Sequence, residues 1–180
     1  MKKLNRYIFK AVLVAFLPVL SLLYAFRTVS SANEYAVKAM FIYNFTKYLD
    51  WTRAESNSEF NIAVYGNSEI IKYLKEIAIR KNVNGKHINV TTIFSLQEAT
   101  SMQVVFIPEI YSSVINELAG NPKLKSVLLI TEHAGSIRKG AHINFIQIDG
   151  KMKFEMNETA MKKDGVGYSK ELESLAVKIY

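Results

Sequence analysis

Hydrophobic and polar positions alternate in a regular order from residue 60 onward. Short apolar runs typical of buried strands cover residues 60–65, 87–93, 104–107 and 127–131, and stretches with helical apolar spacing separate them. Strands that alternate with helices indicate a mainly parallel sheet with right-handed crossovers. Because residues 127–131 are aliphatic except for Thr131 at their end, we expect this strand at the centre of the sheet.

Local signals mark where these elements begin and end. Asn84-Gly85 predicts a turn into the strand at 87–93. Ser95, with Glu98 three residues later, forms the pattern of a capping box and predicts the start of a short helix. Another helix is predicted through residues 114–118, ending at Gly120.

The last third of the chain has a different pattern. Residues 141–149 and 151–156 alternate as strands and are joined by Asp149-Gly150, a hairpin signal, so we expect an antiparallel edge here. Helices are predicted from about residue 158 to 163 and from Ser169 through Leu172, Leu175 and Ala176. The whole pattern predicts one α/β domain over residues 33–180: a mainly parallel sheet flanked by helices, with a C-terminal antiparallel hairpin.

Residues 34–51 contain no glycine or proline and predict a helix. Its apolar and aromatic residues occupy most of the circumference, so one sheet cannot cover them all. We therefore predict that Tyr43, Tyr48 and Trp51 bind a partner, which is either a second copy of the chain or a membrane protein. The alternative is that these aromatic side chains fill the core.

The N-terminal segment has the order of a secretory signal peptide. Four basic residues precede an apolar run over residues 11–26, and Ser30 and Ala32 provide small side chains before a cleavage point. We predict a signal peptide over residues 1–32, cleavage after Ala32, and a mature periplasmic protein that is not inserted in the membrane. An uncleaved anchor is disfavoured because the run is shorter than the roughly 20 apolar residues of a spanning helix.

Composition then excludes several functions. The chain has 180 residues, no cysteine and a formal charge of +7, but five of its 23 basic residues and none of its 16 acidic residues precede residue 33. The mature charge of +2 gives no electrostatic reason to expect a nucleic-acid partner. Without cysteine, disulfides and thiolate metal sites are excluded.

No motif for catalysis or for a cofactor is evident. His87, His133 and His142 lack further ligands at metal-binding spacing, and the adjacent Glu132 and His133 are interpreted as a charge pair in a loop. Ser136 is not in a nucleophile elbow, and the glycines near it do not complete a phosphate-binding loop. We therefore predict a non-enzymatic protein with no catalytic, cofactor-binding or metal-binding residue.

Several segments, taken in order, resemble the YfiR-like periplasmic proteins. The helix at 38–48 followed by Asp50-Trp51 resembles their opening helix. Further segments resemble their later strands, hairpin and closing helix: residues 83–88, 104–107, 140–145, 153–157 and 169–179. Thr52 stands where a proline often follows the tryptophan, and Ala141 replaces the second glycine of a Gly-Gly pair. The resemblance covers nearly the whole mature chain.

This resemblance implies a periplasmic α/β protein, often dimeric, that represses an inner-membrane signalling protein. The expected partner is a diguanylate cyclase with a periplasmic region, and a sensor kinase is the alternative. The absence of cysteine excludes the disulfide-based control found in some relatives. A second hypothesis is a small-ligand sensor or carrier that uses the carboxyl ends of the parallel strands.

Overall fold

The computed structural model describes residues 34–51 and 58–180. The predicted signal peptide, the cleavage point after Ala32 and the position of Thr52 lie outside these residues. The elements in chain order are α1 (34–45), β1 (Leu49–Asp50), β2 (Glu59–Tyr65), α2 (Ile70–Arg80), β3 (Asn82–Val83), β4 (Lys86–Ile93), α3 (Leu96–Ala99), β5 (Val104–Ile107), α4 (Ile115–Leu118), β6 (Leu128–Thr131), β7 (Ile143–Ile148), β8 (Lys151–Met156), α5 (Glu158–Asp164), β9 (Gly167–Tyr168), α6 (Lys170–Leu175) and β10 (Lys178–Ile179).

The main sheet confirms the predicted fold class. Its eight strands within the described residues lie in the order β10-β8-β7-β6-β5-β2-β4-β3. Neighbours are parallel except for the β7–β8 hairpin and the β3–β4 pair, which are antiparallel. The four residues of β6 are at most 1% exposed and the strand lies inside the sheet, as predicted from its aliphatic sequence.

Both faces of the sheet are covered by helices. Phe106 on β5 lies 6.3 Å, between ring centroids, from Phe145 on the face that α1 covers. Its neighbour Val105 belongs to a cluster with Ile115 and Leu118 of α4, and consecutive strand residues point to opposite faces. The α1 and α4 helices therefore lie on opposite sides of one sheet.

The predicted turns and cap are confirmed in detail. Ser95 Oγ accepts the Glu98 N–H at 3.3 Å, and the Glu98 carboxylate accepts the Phe94 N–H at 3.0 Å. Asn84-Gly85 and Asp149-Gly150 both have positive φ at their two residues, as hairpins with tight turns require.

The first helix is shorter than the sequence predicts. It ends at residue 45, where Thr46 Oγ1 donates to the Tyr43 carbonyl at 2.7 Å and a turn follows. Leu49 and Asp50 then form a strand that pairs with Tyr168 and Gly167. The prediction of a helix through residue 51 was wrong because this pairing partner lies more than a hundred residues away.

The C-terminal predictions also need correction. The last helix ends at Leu175, and Lys178–Ile179 form β10, which pairs in parallel with β8. The hairpin is antiparallel as predicted, but β10 rather than β8 forms the edge of the sheet. The helix predicted through residue 114 begins instead with a 3-10 turn over Glu109–Val114.

Candidate functional site

The α1 helix has a buried face and an outer face. Ala39, Ile42 and Phe45 are at most 1% exposed, and the Phe45 ring lies 4.9 Å from the ring of Phe154 on β8. On the opposite side, Val37 is 37% exposed and Met40 is 47% exposed. The helix therefore presents aliphatic side chains to solvent as well as to the core.

The three aromatic residues predicted to bind a partner have different surroundings. Trp51 is 7% exposed, its Nε1–H donates to the Thr46 carbonyl at 2.8 Å, and its ring meets Phe60 edge to face. This placement agrees with the alternative interpretation, in which the Trp51 side chain fills the core. Tyr43 and Tyr48 are half-buried and keep part of their surface. We name Val37, Met40 and Tyr43 the outer α1 surface, while Tyr48 follows the helix in the bend before β1.

A buried ion pair connects α1 to the carboxyl end of β6. Lys38 Nζ lies 2.5 Å from Glu132 Oε2, and the two side chains are 7% and 8% exposed. The other Glu132 oxygen accepts the Glu109 N–H at 3.0 Å. Because a charge left alone here would be buried and unpaired, the pair holds α1 in one position on the sheet.

The expected charge pair between Glu132 and His133 is wrong. Glu132 is engaged by Lys38, while His133 Nδ1 lies 3.3 Å from Glu109 Oε1 at the surface. Adjacent residues at the end of a strand point in different directions, so proximity in sequence did not make them partners.

A second buried polar group was missed by the sequence analysis. His142 is 1% exposed. Its Nδ1 accepts the Leu129 N–H at 3.0 Å, so the ring proton lies on Nε2. Nε2 lies 3.2 Å from Asp164 Oδ2. Asp164 also pairs with Lys125 at 3.0 Å. The bond to His142, with a smaller contribution from Lys125, outweighs the effect of burial and lowers the pKa of Asp164 to about 2.

This His142–Asp164 pair has the geometry of a structural group. Both ring nitrogens of His142 are occupied, so neither can take a proton from a substrate. Within residues 34–51 and 58–180, no group of three or more His, Cys, Asp or Glu residues is arranged to hold a metal ion. In the same ranges, none of the helices combines the length and hydrophobicity needed to cross a bilayer.

A crevice lies where the strand order reverses, at the carboxyl ends of β2 and β5. Its volume is about 560 Å³, within the range of small-ligand sites. Tyr65 and Tyr111 meet edge to face at 5.9 Å on its wall, Ile110 is 77% exposed, and Glu117 supplies a carboxylate. Partial burial, with Glu117 and Glu98 nearby, raises the pKa of Tyr65. This is the position at which α/β sheets bind ligands.

The crevice is partly filled by the protein itself. Gly66 has a φ of +70°, and the side chain of any other residue at this position would overlap the Tyr111 ring. The Tyr111 ring therefore lies directly on the backbone that follows β2, in a space that only glycine leaves open.

Comparison with known proteins gives one family and a fold likeness. A family model described as YfiR/HmsC-like matches residues 35–177. No curated protein matches the sequence significantly. The crystal structure of a conserved domain protein from Vibrio cholerae O1 biovar El Tor str. N16961 has a TM-score of 0.52 at 11% identity, over 81% of this chain and 60% of that chain.

A further solved structure has a lower score. The ABC domain in complex with L-Trp from Streptococcus pneumonia matches with a TM-score of 0.42 and 10% identity, over 75% of this chain and 60% of that chain. The chain thus spans 60% of the length of each of these two structures. The likeness to the Vibrio protein concerns the fold alone.

Proposed function

Because the chain belongs to the YfiR/HmsC-like family, a family of periplasmic regulators, we propose that it is a non-enzymatic protein that binds and represses the periplasmic region of an inner-membrane signalling protein. The proposed partner is a diguanylate cyclase, with a sensor kinase as the alternative. The family match supports a regulatory, binding role.

The outer α1 surface is the observation that carries this proposal. Val37 and Met40 are exposed on α1, whose opposite face is already packed against the sheet. Lys47 Nζ lies 4.7 Å from the centre of the Tyr43 ring at the edge of the surface. Aliphatic and aromatic side chains with a polar border are typical of the centre of a protein interface. The partner is either the membrane protein or a second copy of this chain.

The test substitutes Met40 and uses Ile79 as the matched control. Ile79 is 84% exposed on α2, so Ile79→Glu introduces the same charge at a site away from α1. A buried charge at an interface should weaken association by about 2 kcal/mol, or about 30-fold. We expect Met40→Glu to keep its melting temperature and to lose the ability to lower cyclic di-GMP in a deletion strain, while Ile79→Glu complements fully.

Two outcomes would contradict parts of the proposal. Full complementation by Met40→Glu would exclude the outer α1 surface as the binding site. A deletion strain with unchanged cyclic di-GMP would exclude repression of a cyclase and favour the sensor kinase. Sedimentation equilibrium of the two variants reports separately whether the same surface joins two copies of the chain.

The crevice supports a second candidate function, a small-ligand sensor or carrier. Its tyrosine pair and the exposed Ile110 offer apolar surface to a ligand, and Glu117 offers a charge. Native mass spectrometry of the protein purified from the periplasm tests this candidate. A bound molecule should appear as added mass in the wild-type spectrum and should be missing from the spectrum of the Ile110→Arg variant. Identical spectra of the two proteins would exclude ligand binding in the crevice.

A further inference from the structure

The face of the β7–β8 hairpin opposite α1 becomes steadily more exposed toward its turn. Phe145 and Phe154 point to α1, so their strand neighbours Ile146 and Lys153 point to the other face. On that face of β7, Asn144 is fully buried, Ile146 is half-buried and Ile148 is 42% exposed. This face of the hairpin therefore opens to solvent toward its turn.

Four cations surround the open face. Lys151 and Lys153 extend from β8 and are exposed, and Arg138 extends from the 3-10 turn over Ser136–Lys139. Lys178 on β10 lies in register with Glu155 on β8, so it is on the same face. Its Nζ lies 4.5 Å from the centre of the Tyr180 ring, and the Arg138 guanidinium lies 5.8 Å from the same ring.

The acidic residue on this face forms no ion pair with these cations. One Glu155 oxygen accepts the Tyr180 hydroxyl at 2.9 Å, and the other accepts the Asn144 amide at 3.3 Å. Among the described residues, no carboxylate lies within 4.0 Å of any of the four cations. Lysines elsewhere in the fold, such as Lys38 and Lys125, do have such partners.

Charge and apolar surface alternate across the two strands. Lys151 lies directly opposite Ile148, and Lys153 directly opposite Ile146. Residues that face each other across an antiparallel pair are about 5 Å apart, and successive residues on one face of a strand are about 7 Å apart. On these two strands, each lysine of β8 therefore has an isoleucine of β7 as its neighbour.

We propose that this basic sheet face, formed by Arg138, Lys151, Lys153, Lys178, Ile146 and Ile148, binds an acidic segment of a partner protein. The segment carries apolar side chains between its carboxylates, which meet the unpaired cations while the apolar groups cover the two isoleucines. Complementary charge increases the rate of encounter and fixes the register of the segment.

A protein segment fits this face better than an anionic lipid surface does. Asp149 lies at the tip of the hairpin, where it would meet lipid phosphates first and be repelled. Ile146 is half-buried, whereas proteins that insert into a bilayer present a large exposed apolar face.

The basic sheet face and the outer α1 surface lie on opposite sides of the sheet. The inference therefore goes beyond the proposed function and does not depend on it. Substitutions at Met40 test one surface, and substitutions at Lys151 and Lys153 test the other.

The experiment measures the binding of a fluorescein-labelled synthetic peptide that alternates glutamate and valine to the full chain. The variant Lys151→Glu with Lys153→Glu is compared with Lys75→Glu with Lys81→Glu, which makes the same charge change at exposed positions on and after α2. Because two attractive pairs become repulsive, fluorescence anisotropy should show a Kd raised about tenfold in the first variant and nearly unchanged in the second. Binding of the wild-type chain should weaken as salt is added.

Several results would overturn the inference. These are no binding of the peptide, equal losses in the two variants, or equally tight binding of a peptide that alternates lysine and valine. Cosedimentation with vesicles of phosphatidylglycerol and phosphatidylcholine, in the absence of peptide binding, would overturn it in favour of a lipid surface. Both variants change only exposed lysines, so their melting temperatures should match that of the wild type.

Discussion

Asp164 lies near the end of α5, between the His142 ring and the Lys125 ammonium group. Its oxygens contact His142 and Lys125, and its pKa falls from 3.8 to about 2. A lowered carboxylate pKa contributes stability that is complete above the ordinary value and is lost as the pH falls through the lowered one. Asp164 therefore couples the fold to acidity in a narrow window well below neutral pH.

The Asp164→Asn variant should reveal this coupling. We expect it to be less stable than the wild type at neutral pH by about 2 kcal/mol, since one unit of pKa shift corresponds to about 1.4 kcal/mol. This difference should shrink between pH 3.8 and about 2. Urea denaturation at a series of pH values measures it.

Asp149→Asn is the matched control for that experiment. Asp149 lies in an exposed turn with a φ of +51°, a conformation that asparagine accepts readily. The Asp149→Asn variant should have the same stability as the wild type at each pH. A constant difference between Asp164→Asn and the wild type down to pH 2 would show that hydrogen bonding rather than charge links Asp164 to the fold.

Among the elements, the end of β2 imposes the most specific demand on sequence. Gly66 has a positive φ, and the Tyr111 ring occupies the space of its missing side chain. Gly85 has a similar φ of +81° but nothing within 4 Å of the Cβ position. Substitutions at these two positions therefore distinguish the free-energy cost of the backbone conformation from that of the contact with Tyr111.

Gly66→Ala and Gly85→Ala should therefore differ in stability. The left-handed conformation alone costs an alanine about 1–2 kcal/mol, and both variants should show this loss. In Gly66→Ala the Tyr111 ring must also move, so we expect a clearly larger loss in chemical denaturation. Equal losses would show that Tyr111 moves freely away from the crevice.

The elements that could be predicted from sequence are those long enough to show a period. The strands β2, β4, β5 and β6 and the hairpin were predicted within about two residues, because each carries its own apolar pattern or turn signal. The two-residue strands β1, β9 and β10 carry no pattern and exist only through their partners. Pairing with distant strands therefore explains why the first and the last helix end earlier than the sequence predicts.

The polar contacts of the candidate sites could not be predicted for a similar reason. Lys38 and Glu132 are 94 residues apart, and His142 and Asp164 are 22 apart. Neither separation along the sequence corresponds to a metal-ligand or catalytic motif, so the sequence gives no sign of these pairs. The burial of Trp51 could not be predicted either, because it depends on Phe60 from β2.

At the scale of the whole molecule, export remains a prediction. A protein that regulates a membrane partner from the periplasm must cross the inner membrane, and the first 32 residues have the order of a cleaved signal. Mass analysis of the protein from an envelope extract should give an N-terminus at Asn33. Full-length protein in the washed membrane fraction would contradict cleavage after Ala32.

Both edges of the main sheet end in strands of two residues, β3 and β10. A long free edge offers unpaired backbone groups on which another chain can add a strand, and such addition starts aggregation. Here the edge strands cover only two residues of each neighbour, since β3 pairs with Lys86 and His87 of β4, and β10 pairs with Glu155 and Met156 of β8. Most of the outer sides of β4 and β8 therefore have no strand partner among the described residues. Charged side chains on an edge oppose the addition of another strand, and β8 carries two exposed ones, Lys151 and Lys153.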